Sequence, residues 1–475
     1  MIWLSIRMKY LLALLLALSL WGCASINAPD NPKTKEIQGA QLGLQDTAMQ
    51  WPHAHWWTRY NDAQLNALID EALQNNPTLA VAQARLDIAN SAVQGARAVQ
   101  LPQLNAGYTQ TRQRYSENYI YPPPFAGSMQ TDASLRLNLG FDLDLWGKNR
   151  ARHAAAQSRA LASQAESQVA RNALISGVIQ SYFNLQNALA QHDVIAKILK
   201  QLQQVLAITR DRVAAGLDTQ VEVNQADSAV SSAKVQLNQT DTNANLLRHQ
   251  LAALLGAGPA RGQNIKPVAL TQPPAGVPDQ LPMNLLGRRP DIVAAKRQVQ
   301  ASSNEISAAR AAFFPDINLS AFAGFMSLGL SNLLQGSSQV YGVGPAITLP
   351  IFNAGALNAQ LSGRRAERDL AIANYNETLL AAVREVADAS TAIRALQQQI
   401  IDQRASYKAI SSAYDIARER YRLGLGNFVQ VLLAQNEVQK QAILNTDLRA
   451  RAYNLDAQLA SALGGGYELT PKTTD

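Results

Sequence analysis

The sequence predicts a mainly α-helical subunit built as a tandem repeat, with four β-strands that belong to a membrane barrel. Three observations predict it. The two halves of the 475-residue chain repeat one another in order. Two stretches without proline, 125–258 and 351–470, are rich in Ala, Gln, Leu, Arg and Glu, a composition that favours long helices. Between the helical stretches lie short segments in which apolar and polar residues alternate, the period of a strand with two unlike faces.

The chain opens with an address. Arg7 and Lys9 precede the apolar run Leu11–Leu20, which is too short to span a bilayer as a helix and suits a secretory signal. The run leads into Leu20-Trp21-Gly22-Cys23-Ala24-Ser25, and Cys23 is the only cysteine. This segment resembles a bacterial lipobox, with cleavage between Gly22 and Cys23 and acylation of the Cys23 thiol. Ala24, a residue other than Asp after the Cys, favours sorting to the outer membrane. No later run is long and apolar enough for a membrane-crossing helix.

The repeat is next. At one constant offset Pro77, Ala82, Arg97, Pro102 and Asn105 meet Pro290, Ala295, Arg310, Pro315 and Asn318. Further along, Leu143, Trp146 and Arg159 meet Leu349, Phe352 and Arg365. Later still, Ile208, Arg210, Arg212, Gly216, Leu217 and Val221 meet Ile416, Arg418, Arg420, Gly424, Leu425 and Val429. The expected organisation is a signal peptide (1–22), a lipid-anchored segment (23–61), a first repeat (62–256), a Pro-rich linker (257–283), a second repeat (284–466) and a tail (467–475). Each repeat is expected to contain a helix (about 62–100; 284–312), a hairpin (about 103–145; 316–351), a long helix (about 148–214; 355–423) and a third helix (about 218–255; 427–463). Gly216 and Gly424 supply the helix stops. Leu199, Leu202, Leu206, Thr209 and Val213 recur at coiled-coil spacing, which predicts helix-helix packing.

In the strand segments, Leu135, Leu137, Leu139, Phe141, Leu143 and Leu145 alternate with Arg136, Asn138, Gly140, Asp142 and Asp144. Ile317 to Phe325 and Val343 to Ile351 alternate in the same way. Such lengths suit tilted strands with apolar residues toward lipid and polar ones toward a lumen. Four strands alone would leave edge N–H and C=O groups unpaired in lipid, at several kcal/mol each. Several copies must therefore close the ring. Two would make a barrel filled by its own side chains, so an open lumen favours three or more.

Composition bounds the chemistry. Charged residues are only 16%, the formal net charge is +7, and no Lys/Arg-rich block occurs, so nucleic acid is not an expected partner. One cysteine excludes an intramolecular disulfide, and five histidines leave little for metal chemistry. The sequence holds no H-E-x-x-H, G-x-S-x-G or P-loop, so neither catalysis nor a cofactor is expected.

Taken together with Trp56-Trp57, Asp142–Gly147 (DLDLWG), Leu285–Ile292 (LLGRRPDI), Tyr421–Gly424 (YRLG) and Ala462–Tyr467 (ALGGGY), these features make the chain resemble the outer-membrane efflux lipoproteins of the TolC and OprM kind. The resemblance implies a homotrimer with a 12-stranded barrel in the outer membrane and a long helical barrel in the periplasm. It implies passive export of small toxic compounds, with a periplasmic adaptor and an inner-membrane pump as partners. It also maps the turns after Gly216 and Gly424 onto the periplasmic tips where the duct closes. Where relatives carry acidic residues there, this chain has Gln430 and Leu433 in the second repeat and Glu222 in the first. Tyr421 and Arg418 are candidates for a latch between neighbouring helices. Other readings of the same features are the outer component of a one-step protein secretion system and a structural periplasmic coiled-coil lipoprotein.

Overall fold

The structure, a computed structural model, describes residues 31–42, 51–270 and 285–467. The signal peptide, Gly22 and Cys23, residues 271–283 of the linker and residues 468–475 of the tail lie outside the described residues. No helix among the described residues is long and apolar enough to cross a membrane.

In chain order the main elements are α1 (Ala63–Asn75), α2 (Pro77–Ala98), β1 (Gln103–Arg114), β2 (Met129–Asp142), α3 (Lys148–Ala214) and α4 (Gln220–Leu254). They continue with α5 (Pro290–Ala311), β3 (Asp316–Leu328), β4 (Gln339–Thr348), α6 (Ala356–Arg422) and α7 (Phe428–Ala462). Corresponding helices match in length: α2 and α5 have 22 residues, α3 and α6 have 67, α4 and α7 have 35. At 1.5 Å per residue a 67-residue helix is roughly 100 Å long.

The first helix of each repeat departs from expectation. The stretch 62–100 is two helices, broken at Asn76-Pro77, and the stretch 284–312 is a single turn, Leu285–Arg288, followed by α5. The prolines explain both breaks. Proline has no N–H to bond backwards and drives the residue before it out of helical geometry, yet it suits a first helical turn. The Asn76 side chain then caps the new start by accepting from Thr78 N (2.8 Å) while donating to Leu254 O (2.8 Å). Arg289, before Pro290, pairs with Asp291 (2.6 Å) and Glu385 (2.7 Å) and donates to Ala462 O (2.9 Å).

The chain forms two compact units, and neither coincides with a repeat. One comprises Leu86–Ser163 and Ala295–Asn376 with the described residues before Ile37. The other comprises Ile37–Arg85, Gln164–Ala294 and Glu377–Asp475.

The first unit holds the sheet. The four strands form one antiparallel sheet in the order β1-β2-β3-β4, so β2 and β3 join the two hairpins and β1 and β4 are free edges. The register places Leu104, Leu139, Ala321 and Val343 side by side on one face, with Ala106, Leu137, Ala323 and Tyr341 in the next row. Much of this face is uncovered: Leu137 is 50% exposed, Val343 76% and Tyr341 82%. The opposite face carries Gln103, Asn105, Asn138, Ser134 and Ser320, with Arg136, Phe322 and Met326 among them. The alternation outruns both strands that lead into the long helices. β2 stops at Asp142 because Asp144 turns to positive φ (44°), and its carboxylate accepts from Asn149 N and Arg150 N at the start of α3. β4 stops at Thr348, ahead of Pro350.

Among the described residues the second unit holds three apolar cores. The largest gathers Trp56, Trp57, Leu65, Leu68, Ile69, Ile179, Tyr182, Phe183 and Tyr453. Both tryptophans are therefore core residues. Arg59 and Tyr60, just after them, bond the buried Asp456 carboxylate at 2.5 and 2.7 Å, which ties the segment before α1 to α7. A second core packs Leu202, Val205, Leu206, Val230, Tyr421, Phe428 and Val431, and so takes in Leu202 and Leu206 of the stripe foreseen on α3, with Leu199 packed against it. After α7 the chain passes Arg288 so closely that a Cβ on Gly464 would sit 1.9 Å from the Arg288 carbonyl oxygen.

Candidate functional site

The turns that follow the two 67-residue helices are built alike. In each, a glycine at positive φ (Gly216, 71°; Gly424, 78°) lets the chain fold back on the last helical turn. Leu217 N then donates to Arg212 O (2.9 Å) and Leu425 N to Arg420 O (2.8 Å). A capping residue starts the return helix each time. Thr219 Oγ1 accepts from Val221 N, and Asn427 Oδ1 accepts from Gln430 N (3.0 Å).

One cluster ties the two turns together. The Tyr421 hydroxyl donates its proton to Asp218 Oδ2 (2.5 Å), and its oxygen also lies 3.2 Å from Thr209 Oγ1. Arg212 grips the same carboxylate with both arms of its fork, Nε to Oδ2 at 2.8 Å and Nη2 to Oδ1 at 3.2 Å, and Nη1 donates to Tyr421 O (3.0 Å). The Arg212 guanidinium also stands 4.6 Å above the Tyr421 ring, which packs against Phe428. Arg212 beside it, then the Tyr421 hydrogen bond, hold the Asp218 carboxyl below its ordinary range. Burial, then the bond to Asp218, push the Tyr421 hydroxyl up to about 12.

The other candidates fall elsewhere. Arg418 pairs with Asp415 on its own helix (3.6 Å) and lies over the Tyr414 ring, so it does not join the Tyr421 cluster. Glu222 accepts from Thr219 N (2.9 Å) and Thr219 Oγ1 (2.5 Å), closing a capping box, and these bonds hold its carboxyl below the ordinary range. Gln430 and Leu433 are exposed, away from the core formed by Phe428 and Val431. Sequence reasoning missed Asp218 and the roles of Thr209 and Arg212. A signal existed: Gly426 stands where the offset that matches Gly216 with Gly424 would put a counterpart of Asp218, so the copies differ there in charge.

The turns expose Leu217, Val221, Leu423, Leu425 and Val429. Between α4 and α7 runs a groove of about 580 Å³ lined by polar residues such as Asn224, Ser228 and Gln439 and by apolar ones such as Val221, Ala229 and Leu432. No group of His, Cys, Asp and Glu among the described residues is arranged to hold a metal ion.

A family model described as outer membrane efflux protein matches residues 68–257 and 281–465. The multidrug resistance outer membrane protein MdtQ of Escherichia coli O157:H7 is 32% identical over 467 residues, 95% of this chain and 97% of the relative. The multidrug resistance outer membrane protein MdtP of Escherichia coli K12 is 32% identical over 462 residues, 95% of this chain and 94% of its own. Among solved structures, the outer membrane protein VceC of Vibrio cholerae superposes with a TM-score of 0.82 at 36% identity, over 88% of this chain and 100% of that one. The CmeC outer membrane channel of Campylobacter jejuni superposes with a TM-score of 0.85 at 25% identity, over 93% of this chain and 94% of that one. With this match across both repeats, and with paired helices and an apolar-faced sheet to go with it, the chain belongs to the outer membrane efflux protein family, a family of channels and not of enzymes.

Proposed function

We propose that three copies of this chain form a passive exit duct for small toxic compounds across the outer membrane. The observation that carries the reading is the sheet: four strands, two free edges and an uncovered apolar face. In lipid such a sheet requires partners for β1 and β4, and identical copies supply them by pairing edge to edge. Three copies give 12 strands, enough for an open lumen.

Cys23, freed by cleavage after Gly22, carries the acyl anchor to the outer membrane. The chain has no nucleotide-binding motif, so energy comes from an inner-membrane pump, through a periplasmic adaptor. The adaptor's surface on this chain is the exposed apolar turn residues Leu217, Val221, Leu423, Leu425 and Val429 with the groove beside them. Tyr421, Asp218 and Arg212 form the latch that holds the turns together in the closed duct, and Gln430 and Leu433 face the passage.

The test is direct. The purified protein is expected to run as a heat-modifiable trimer and to conduct ions in planar bilayers; a monomer without conductance overturns the reading. Deleting the gene is expected to raise sensitivity to small toxic compounds and to leave the set of secreted proteins unchanged. The reverse pattern supports a protein-secretion role.

A further inference from the structure

The polar face of the sheet carries a feature that export alone does not require. Arg136 sits in the middle of β2, and its row reads Gly107, Arg136, Gly324, Val340 across the four strands. Glycine flanks it on both sides, leaving a bare floor. Gly324 is obligatory, since a Cβ there would lie 2.1 Å from the Leu135 carbonyl oxygen. On the neighbouring strand Phe322 and Met326 rise from the same face, one row to each side. The Arg136 guanidinium lies 5.5 Å from the Phe322 ring centroid, and Nη2 reaches the Met326 sulfur at 2.9 Å. Gly342 makes room for that ring, because a Cβ there would stand 2.8 Å from a ring carbon.

This cation has no carboxylate partner among the described residues. Its Nε is buried without a hydrogen-bond partner, and a thioether sulfur is a weak acceptor. The nearest acidic residue along the same face of β2 is Asp132, four residues away, roughly 13 Å along a strand. The Asp132 Oδ2 already accepts from Tyr115 (2.5 Å) and Gln113 (3.2 Å). No carboxylate offsets the charge of this arginine, a terminal nitrogen of which is held only by a weak acceptor, and the ring beside it offers a flat apolar surface.

We propose that Arg136 and Phe322 form an anion-binding site on the lumen wall, selective for small carboxylates that carry an aromatic ring. The site rests on the reading of the chain as a trimeric duct, which turns the polar face of the sheet inward and repeats the site three times around the exit. A charged ring in a low-dielectric wall concentrates its counter-ions and sets the preference of the pore between anions and cations. The carboxylate pairs with the guanidinium fork, and the aromatic ring of the solute stacks on Phe322.

Planar-bilayer recording on the full-length trimer tests this with chloride and benzoate as probes, at low salt where screening is weak. Reversal potentials in a potassium chloride gradient give the anion-to-cation permeability ratio. Arg136→Gln is expected to lower that ratio by at least about two-fold, and Arg136→Lys to keep it. Benzoate is expected to interrupt the current of the unsubstituted protein at concentrations where acetate does not. Phe322→Ala is expected to weaken the benzoate interruptions. Heat-modifiable migration of each variant on gels establishes that it folds and assembles. An unchanged ratio in an assembled Arg136→Gln channel overturns the proposal and leaves the duct intact. Equal interruption by acetate and benzoate overturns the aromatic preference. Absence of any channel from the unsubstituted protein instead overturns the duct.

Discussion

The Tyr421 hydroxyl donates to the Asp218 carboxylate at 2.5 Å, joining the last turn of α6 in the second repeat to the loop between α3 and α4 in the first. Arg212 closes the same triangle from α3. The three side chains are therefore one unit, and removing the tyrosine hydroxyl strikes at all of it. Tyr421→Phe keeps the ring on Phe428 and under Arg212 but leaves Asp218 with one partner. We expect it to loosen the turns by about 1.5–3 kcal/mol, the range for a hydrogen bond to a charged group. Amide hydrogen exchange should rise around Gly216 and Gly424, and the closed-state conductance should increase. Unchanged exchange at both turns would show that the hydroxyl carries no weight.

Acid should release the same unit, and only strong acid. Asp218 ionises below its ordinary value of 3.8 when the triangle is formed. The contribution of this group to the closed turns is therefore present above that value and is lost as pH falls beneath it. Tyr421 is shifted the other way, from 10.0 to about 12, so its contribution is present below 10 and fades as pH rises toward 12. Between these limits closed-state conductance should be flat with respect to Asp218 and Tyr421. A midpoint near neutrality would place control in other groups.

Leu433 stands exposed near the start of α7. Leu433→Asp should raise cation selectivity in planar bilayers, because three carboxylates would then ring the passage. No change in reversal potential would reject the placement of Leu433 toward the lumen.

Gly464 tests packing away from the turns. Its φ is 101°, and a side chain would meet the Arg288 carbonyl oxygen. Gly464→Ala should cost about 3 kcal/mol or more, from backbone strain and the displacement of buried neighbours. Circular dichroism melting of the detergent-solubilised protein should show it as a lower transition temperature. A melt like that of the unsubstituted protein would mean the segment yields without cost.

Cys23→Ala should abolish incorporation of labelled palmitate. Continued labelling would place the acyl chain elsewhere. The strands carry their own apolar face, so the variant should still form a conducting trimer when reconstituted.

The parts legible in the sequence were those with a period or a repeat. Strand alternation placed Leu135 to Phe141 on one face, and Gly216 and Gly424 marked the helix ends. What escaped was written in single residues with no period. Pro77 and Pro290 broke helices that composition alone made continuous, although a proline at a first turn follows from its geometry. The pairing of β2 with β3 was not legible, because alternation specifies faces and not neighbours. Phe322 sat unnoticed on the polar face because the apolar residues on either side satisfied the pattern without it. Asp218 was missed for a different reason. Its partners Arg212 and Tyr421 are respectively close in sequence and more than two hundred residues away, and only the packing of α3 against α6 brings the latter near.

The equal lengths of α3 and α6, and of α4 and α7, restrict how such a duct can change over time. A turn inserted into α3 alone would carry Asp218 past Tyr421 by some 5 Å and set the two hairpin ends at unequal heights. Lengthening or shortening must therefore strike both gene halves together and by the same amount, so lineages with taller or shorter periplasms should show insertions that come in matched pairs.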